Sequence, residues 1–380
     1  MNLPSPHAVI ASALWLVAGC GNSGGPRTER LDTSTRGPTL VVVDSAVLAE
    51  SDTISIGAYS SFFVRTASGQ MVVNDMQQAR LLQFGPDGRF VRSLGARGDG
   101  PGEFSLPGPM GVLPDDTTLV VLDVNARRGA RFALTSGDYL GQFATTFPDA
   151  GTQWSFVGDT VVMAVNGAQE LLARWPLLAD TAEALGLVPP RLRGALSLRM
   201  AYGRSELVVR ESSVVALLPT EPGLDIFDRR LEHRGIVLLP AVRRKGEPLD
   251  LAARQRAVER GDDQSLASSA VGLHRLPSGT LVAVHLDMTV IRDRQRNSRQ
   301  SDVRLFASLI SPDLSQACLD GEVPITTDVP PIPAFRGDTM FVLARQVQAD
   351  DTVRSVVYGF RFDAAGCDWV PTGGLTSLPA

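Results

Sequence analysis

Short apolar runs alternate along most of the chain with turns rich in Gly, Asp, Ser and Thr. The runs contain many Val, Leu and Phe residues and follow one another at regular intervals. Short runs of this composition, bounded by turn residues, are typical of β-strands. The pattern therefore predicts an all-β protein.

Two units of this pattern repeat one another. Each unit consists of a strand, a turn led by Asp, a second strand, a Gly turn and a third strand. The repeat has an offset of 48 residues, with one residue inserted before its last two positions. The matching positions are Asp75 and Asp123, Arg80 and Arg128, Phe84 and Phe132, Gly88 and Gly137, and Phe90 and Tyr139. A repeat of this length with four strands is typical of a β-propeller blade.

Weaker units follow, and a G-D-T or S-G-T turn between two strands marks most of them. They lie at residues 156–161, 205–240, 276–281 and 335–340. Together with the first two units they predict a six-bladed β-propeller with four-stranded antiparallel blades; seven blades is the alternative.

The ends of the propeller and two internal segments complete the predicted architecture. We expect one of the early segments, 39–43 or 53–56, to pair with the strand after Asp350, which would close the ring and cover an exposed sheet edge. Segments 178–200 and 245–268 interrupt the strand pattern and are predicted to be short helical insertions. They would be surface decoration or, alternatively, a lid over the central channel.

The stretch between the two repeats is rich in glycine. Residues 95–104 read GARGDGPGEF and are followed by Leu106-Pro107. This stretch resembles the G-x-G-x-G-P-G-E-F-x-x-P connector of the NHL-repeat propellers. The next residues, VVLDVNARR, resemble their V-x-D-x-x-N-x-R strand and turn, with Asn125 one place early. The resemblance covers about residues 62–145 and implies a fold like that of six-bladed propeller lipoproteins.

The amino-terminal residues predict export. An apolar run from Ala8 to Ala18 is shorter than the roughly 20 residues that a helix needs to span a bilayer, and it has the length of a signal-peptide core. It ends in LVAGC, which resembles the lipobox, so cleavage before Cys20 and lipidation of its sulfur are implied. The alternatives are an ordinary signal peptide or a buried segment. The resulting division is a signal peptide at 1–19, a flexible tether at 20–38 and the propeller at 39–380.

Location within the cell envelope follows from the same motif. Asn22 stands where an aspartate would favour retention in the inner membrane, so the outer membrane is favoured. The partner at this end of the chain is then the membrane itself, reached through the lipid.

Composition narrows the other partners and the role of the cysteines. Charged residues make up 20% of the chain and the net charge is −5, so a nucleic-acid partner is not expected. If Cys20 carries lipid, Cys318 and Cys367 remain to form a disulfide. This disulfide would close a 49-residue loop and so stabilise the fold by roughly 3–4 kcal/mol. Two unrelated buried thiols are the alternative.

Candidate chemistry is sparse. His233, His274 and His285 lack metal-ligand spacing, and neither a calcium loop nor a G-x-S-x-G elbow occurs in the sequence. The Arg97-Gly98-Asp99 tripeptide lies inside the connector and is interpreted as part of a turn. No catalytic residue, metal ligand or cofactor is therefore assigned; a divalent metal such as calcium enters only with the enzymatic alternative given below.

One segment is unusually basic. Residues 292–299 read RDRQRNSR between two strands and predict a projecting hairpin loop with the arginines Arg292, Arg294, Arg296 and Arg299. A solvated charge run is the default interpretation. The sharper one is a docking site for an anionic glycan, a lipid headgroup or an acidic protein face.

These features favour a membrane-anchored binding module without catalytic activity, whose partner is a protein or a saccharide. The alternative is a metal-dependent propeller lyase or hydrolase that uses carboxylates in the channel.

Overall fold

The structure is a computed structural model. It describes residues 30–51, 54–56, 60–144, 150–157, 160–165, 170–176, 183–189, 206–218, 223–244, 264–292, 298–348 and 352–376. Every helix or strand element within these ranges is a β-strand, in six antiparallel sheets of four or five strands and one short parallel pair. No helix in the described ranges is long and apolar enough to cross a membrane.

The first strand, β1 (Thr39–Val47), precedes the first full blade. Blade 1 contains β2 (Phe63–Arg65), β3 (Met71–Asp75), β4 (Arg80–Phe84) and β5 (Phe90–Leu94). The connector after it holds the parallel pair β6 (Ala96–Arg97) and β7 (Glu103–Phe104). Blade 2 contains β8 (Pro107–Val112), β9 (Thr118–Asp123), β10 (Arg128–Ala133) and β11 (Tyr139–Ala144).

Blades 3 and 4 come next along the chain. Blade 3 contains β12 (Ala150–Val157), β13 (Thr160–Val165), β14 (Glu170–Pro176) and β15 (Ala184–Leu187). Blade 4 contains β16 (Glu206–Val209), β17 (Ser213–Leu217), β18 (Gly223–Asp228) and β19 (His233–Leu238).

The carboxyl-terminal part supplies two more blades and two added strands. Blade 5 contains β20 (Gln264–Arg275), β21 (Leu281–Arg292), β22 (Ser298–Ile310) and β23 (Gln316–Glu322). Blade 6 contains β24 (Val329–Arg336), β25 (Thr339–Val347), β26 (Val353–Asp363) and, on its outer edge, β1. The tail adds β27 (Val370–Pro371) to blade 5 and β28 (Leu375–Thr376) to blade 4.

The sheets form a closed ring around their first strands. Each of β2, β8, β12, β16, β20 and β24 contacts the first strand of the next blade, and β24 contacts β2. The described sheets are therefore the blades of a six-bladed propeller, as predicted, and the seven-bladed alternative is wrong.

The amino-terminal strand closes this ring. β1 pairs with β26 from Thr39 opposite Asp363 to Val47 opposite Val356. Of the two segments considered for this role, 39–43 therefore closes the ring, whereas in the described part of the other segment, residues 54–56, Ile54 forms an isolated bridge to Ser51.

Apolar side chains pack between neighbouring blades. In β21, Leu281 and Ala283 join the core shared with blade 4, whereas Val282 and Val284 join the core shared with blade 6. Both faces of such a strand are buried, which explains why it reads as a continuous apolar run.

The predicted helical insertions are wrong where the structure describes them. β15 lies inside segment 178–200, and β20 begins inside segment 245–268. β15 pairs with β14 as an outer strand, and Gln264 to Ser268 pair with β21. Pairing with a neighbouring strand satisfies these backbone groups and overrides local helix propensity. The remainder of both segments lies outside the described residues.

Candidate functional site

The repeated Asp and Arg residues close matching turns in blades 1 and 2. Asp75 accepts hydrogen bonds from the Gln78 amide (3.1 Å) and from Nε of Arg80 (3.1 Å). Asp123 accepts one from the Ala126 amide (3.2 Å) and lies 3.8 Å from Arg128. These are the local backbone bonds expected of a short carboxylate that leads a turn. The pairs are therefore part of the blade framework.

Hydrogen bonds also hold the glycine-rich connector between blades 1 and 2 in place. The Glu103 carboxylate accepts a hydrogen bond from the Gly100 amide (2.8 Å), and Arg128 donates to the carbonyls of Asp99 and Glu103 (2.7 and 2.8 Å). Gly98 has a φ of +154°, and a Cβ built there would lie 2.0 Å from Oε2 of Glu103. Arg97-Gly98-Asp99 is thus part of a constrained turn, as the sequence pattern indicated.

Asp123 also fixes where this connector enters blade 2. Its carboxylate oxygens accept hydrogen bonds from the amides of Ser105 (2.7 Å) and Leu106 (3.0 Å). Asn74 does the same before blade 1, where its side-chain oxygen accepts from the amides of Ser61 and Phe62 (both 2.9 Å). A buried polar residue near the end of a second strand therefore pins a connector in both blades.

The described strands around the channel carry mainly apolar side chains. β8 reads PGPMGV and β16 reads ELVV, in which Glu206 is the acidic residue. One end of the channel has an ion pair between Arg336 of blade 6 and Asp116 of blade 2 (2.7 Å). No group of three or more His, Cys, Asp or Glu residues within the described ranges is arranged to hold a metal ion.

The three histidines considered as ligands lie in separate environments. His233 Nε2 is 2.7 Å from Oδ1 of the buried Asp225. His274 stacks on Phe335, and its ring nitrogen is 2.9 Å from the Gly337 carbonyl oxygen. Burial lowers the pKa of His274, and the hydrogen bond to Gly337 opposes that effect only in part. The structure does not bring these histidines together.

Blade 5 has much longer strands than blades 1 and 2. Its first three strands contain 12, 12 and 13 residues, whereas β3 and β4 contain 5 each and β9 and β10 contain 6 each. The second strands of blades 1 and 2 end at Asp75 and Asp123, which lie five residues after Gln70 and Thr118, respectively. The equivalent residue after Thr280 is His285, and β21 continues beyond it to Arg292.

This extension carries the predicted basic hairpin. Arg292 pairs with Ser298 and Arg299 pairs with Ile291, so the two strands continue up to the predicted loop. Arg294 and Arg296 lie outside the described residues. The hairpin extends past the level at which the second strands of blades 1 and 2 turn. It lies on the connector face, which we define as the end of the ring with turns 75–80 and 123–128 and connector 95–106.

A buried polar cluster lies beneath this extension, on the side of blade 5 that faces blade 4. Asp320 of β23 accepts hydrogen bonds from Nε of Arg244 (2.6 Å) and from the amides of Val242 (2.7 Å) and Arg243 (3.0 Å). Asp320 is fully buried and Arg244 is 6% exposed. The carboxylate thus pins residues 241–244, which follow blade 4, against the outer strand of blade 5.

His285 lies on the same side of β21 as Leu281 and Ala283, which face blade 4, and it interacts electrostatically with Arg244 and Asp320. The residue is 4% exposed, and neither ring nitrogen has a hydrogen-bond partner among the described residues. Burial lowers its pKa well below 6.5; the positive charge of Arg244 adds to this effect, and the negative charge of Asp320 opposes it. The sequence pattern indicated no role for His285, which was one of three scattered histidines. Its place five residues after Thr280, equivalent to Asp75 and Asp123, was the signal that could have marked it.

The other predicted site residues are the cysteines. Cys318 of β23 and Cys367 form a disulfide with Cα atoms 5.8 Å apart, so the expected pair is present. Beside it, Arg36 and Asp368 form an ion pair (3.2 Å). The disulfide therefore fastens the tail to blade 5 just before β27. Cys20 lies outside the described residues.

Comparisons with known proteins agree with the fold. A family described as a 6-bladed beta-propeller, DUF5128, matches residues 51–150. The crystal structure of a DUF4221 family member from Bacteroides vulgatus superposes with a TM-score of 0.58 at 10% identity, over 87% of this chain and 99% of that one. A protein from Bacteroides fragilis, provisionally named as exported, gives a TM-score of 0.52 at 11% identity, over 88% and 99%. No curated protein sequence matches significantly. At such identities the likeness extends to the fold alone.

Proposed function

We propose that the chain is an exported lipoprotein, held at a membrane by lipid on Cys20, whose propeller binds a partner without turning it over. The lipobox-like LVAGC and the polar spacer after it support the tether. The rigid closed ring supports a binding role, because loops on a rigid scaffold can present a preorganised surface.

The binding element in this proposal is the extended hairpin of blade 5. One observation carries it: the paired strands of this blade continue well past the level at which blades 1 and 2 turn, and Arg292 and Arg299 lie in the last pairs of that extension. Arg80 of blade 1 is engaged with its own turn and Arg128 of blade 2 with the connector, whereas the sequence of segment 292–299 contains four arginines. Guanidinium groups bind carboxylates, sulfates and phosphates by paired hydrogen bonds.

The partner is therefore expected to be anionic, and an acidic saccharide or an acidic protein face fits the chemistry. The alternative, a metal-dependent lyase or hydrolase, needs carboxylates or histidines that converge on the channel. No observation on the described residues favours that alternative.

Binding is tested with a sulfated polysaccharide, heparin, on the mature protein. The variant replaces Arg292, Arg294, Arg296 and Arg299 with Gln. The matched control replaces Arg89, Arg229, Arg230 and Arg361 with Gln, which makes the same charge change at exposed positions on the opposite end of the ring. We expect the first variant to lose most heparin retention at low salt, and the control to keep it. Equal retention of the two variants would refute the hairpin as the binding element.

Anchoring is tested separately, by mass spectrometry of the protein processed in a bacterial host. The wild type should carry the mass of a diacylglyceryl group on an amino-terminal Cys20, and Cys20→Ala should carry none. A wild-type protein without lipid mass would end the proposal of a lipid tether while leaving the binding proposal open.

A further inference from the structure

The cluster of His285, Arg244 and Asp320 contains a buried imidazole without a hydrogen-bond partner among the described residues. A buried polar group without a hydrogen bond costs stability, so native proteins retain few of them. His233 and His274 both have partners, at 2.7 and 2.9 Å. Among the described residues, His285 is thus the histidine whose ring has no hydrogen-bond partner.

The cluster also has a mechanical position. Asp320 holds residues 241–244 through the amides of Val242 and Arg243 and through the guanidinium of Arg244, which also donates to the Pro240 carbonyl (2.8 Å). Ser308 of the neighbouring strand donates to the same carboxylate (3.3 Å) and accepts a hydrogen bond from the Asp320 amide (3.0 Å). One carboxylate therefore joins three parts of the chain.

Charge balance in the cluster is complete only while His285 is neutral. Among the described residues, Arg244 and Asp320 are the charged groups that act on the imidazole, and their effects on its pKa oppose each other. Asp287, two residues along β21, is occupied by a hydrogen bond from the Ser268 hydroxyl (2.5 Å). A proton on His285 would leave two buried positive charges against the single carboxylate of Asp320, at a site with little access to water.

We propose that these three residues form a proton-sensitive latch, in which protonation of His285 releases residues 241–244 from the outer strand of blade 5. The latch is closed at neutral pH and opens in acid. It acts at the junction of blades 4 and 5, beneath the extended hairpin, and it requires neither the lipid anchor nor an anionic partner.

The direction of the pH dependence follows from linkage. The imidazole binds a proton more readily in the opened or unfolded chain, where its pKa is near 6.5, than in the folded cluster, where burial and then Arg244 lower that pKa. Stability of the latch is therefore complete above pH 6.5 and falls as the pH drops below it, until the folded pKa is reached. Asp320 stays ionised in this range: burial alone would raise its pKa, but Arg244 and the Val242 amide hold it below 3.8.

The test is hydrogen exchange of the Val242, Arg243 and Arg244 amides between pH 7.5 and 5, corrected for the intrinsic pH dependence of exchange. In the wild type we expect their opening constant to rise by close to tenfold per pH unit below 6.5, because one proton is taken up. In His285→Gln that rise should disappear, whereas His233→Gln and His274→Gln should keep it. The same rise in His285→Gln as in the wild type would overturn the latch.

A second measurement covers the case in which His285→Gln fails to fold. The protonation state of the His285 ring is followed by NMR in the wild type, alongside exchange at residues 242–244. Protonation that coincides with faster exchange supports the latch. Protonation of the ring while the three amides remain fully protected would overturn it.

Discussion

The junction between blades 1 and 2 and the junction between blades 4 and 5 use the same element in different surroundings. At the first, Asp123 accepts hydrogen bonds from the amides of Ser105 and Leu106 and forms an ion pair with Arg128, whose side chain is 17% exposed. At the second, Asp320 accepts hydrogen bonds from the amides of Val242 and Arg243 and forms an ion pair with Arg244, whose side chain is 7% exposed. Both carboxylates pin a connector, and they differ in how far the arginine is removed from water.

The difference indicates that the junction between blades 1 and 2 follows the structural repeat, whereas the junction between blades 4 and 5 is specialised. Water can compensate for a lost partner at Arg128, but hardly at Arg244. The second junction also holds His285 where blades 1 and 2 have an Asp, and neither ring nitrogen of His285 has a hydrogen-bond partner among the described residues. This junction lies beneath the extended hairpin of blade 5. Specialised features thus concentrate around blade 5.

The largest expected effect tests burial of the arginine. Asp320→Ala leaves Arg244 buried without its counter-ion, and we expect a loss of about 3–5 kcal/mol in the free energy of unfolding. The measurement is denaturant unfolding at pH 7.5. The double variant Asp320→Leu with Arg244→Met should be more stable than Asp320→Ala, because it removes both charges. A double variant that is less stable than the single one would contradict this explanation of the junction.

The next effect concerns the tail beside the same blade. Replacing Cys318 and Cys367 with Ala opens a 49-residue loop, and we expect the free energy of unfolding to fall by about 3–4 kcal/mol. Denaturant unfolding of the oxidised wild type and of the double variant measures it. Reactive thiols at both positions in the native exported protein would show that the pair is not formed there.

The smallest expected effect concerns the junction between blades 1 and 2. Asp123→Ala removes the acceptor for the Ser105, Leu106 and Ala126 amides but leaves Arg128 with access to water and to the Asp99 and Glu103 carbonyls. We expect a loss of about 1–3 kcal/mol, smaller than for Asp320→Ala. If Asp123→Ala costs as much as Asp320→Ala under the same conditions, exposure of the arginine is not what distinguishes the junctions.

Much of the ring could be predicted because the propeller repeats its local pattern. The offset from Asp75 to Asp123 marked two blades, and the turns before Leu281 and Met340 marked two others. Closure by one of the segments 39–43 and 53–56 followed from the need to cover a sheet edge, and the structure selects the first of them. These features depend on short segments that can be interpreted one at a time.

The tail strands and the buried cluster could not be found in that way. β27 and β28 contain two residues each and exist only because β23 and β19 offer free edges. Arg244 and Asp320 are 76 residues apart, so only the packing of blade 4 against blade 5 brings them together. The basic segment was visible in the sequence, but its position at the end of an extended blade required the pairing of β20, β21 and β22.

The contrast between the two regions is tested most directly by hydrogen exchange of the mature protein with and without heparin. If blade 5 is the binding element, heparin should protect the amides of β21 and β22 nearest the hairpin. It should leave the connector at residues 95–106 and the turns at Asp75 and Asp123 unchanged. Protection at that connector, or none at blade 5 when heparin is bound, would contradict the assignment of binding to the extended hairpin.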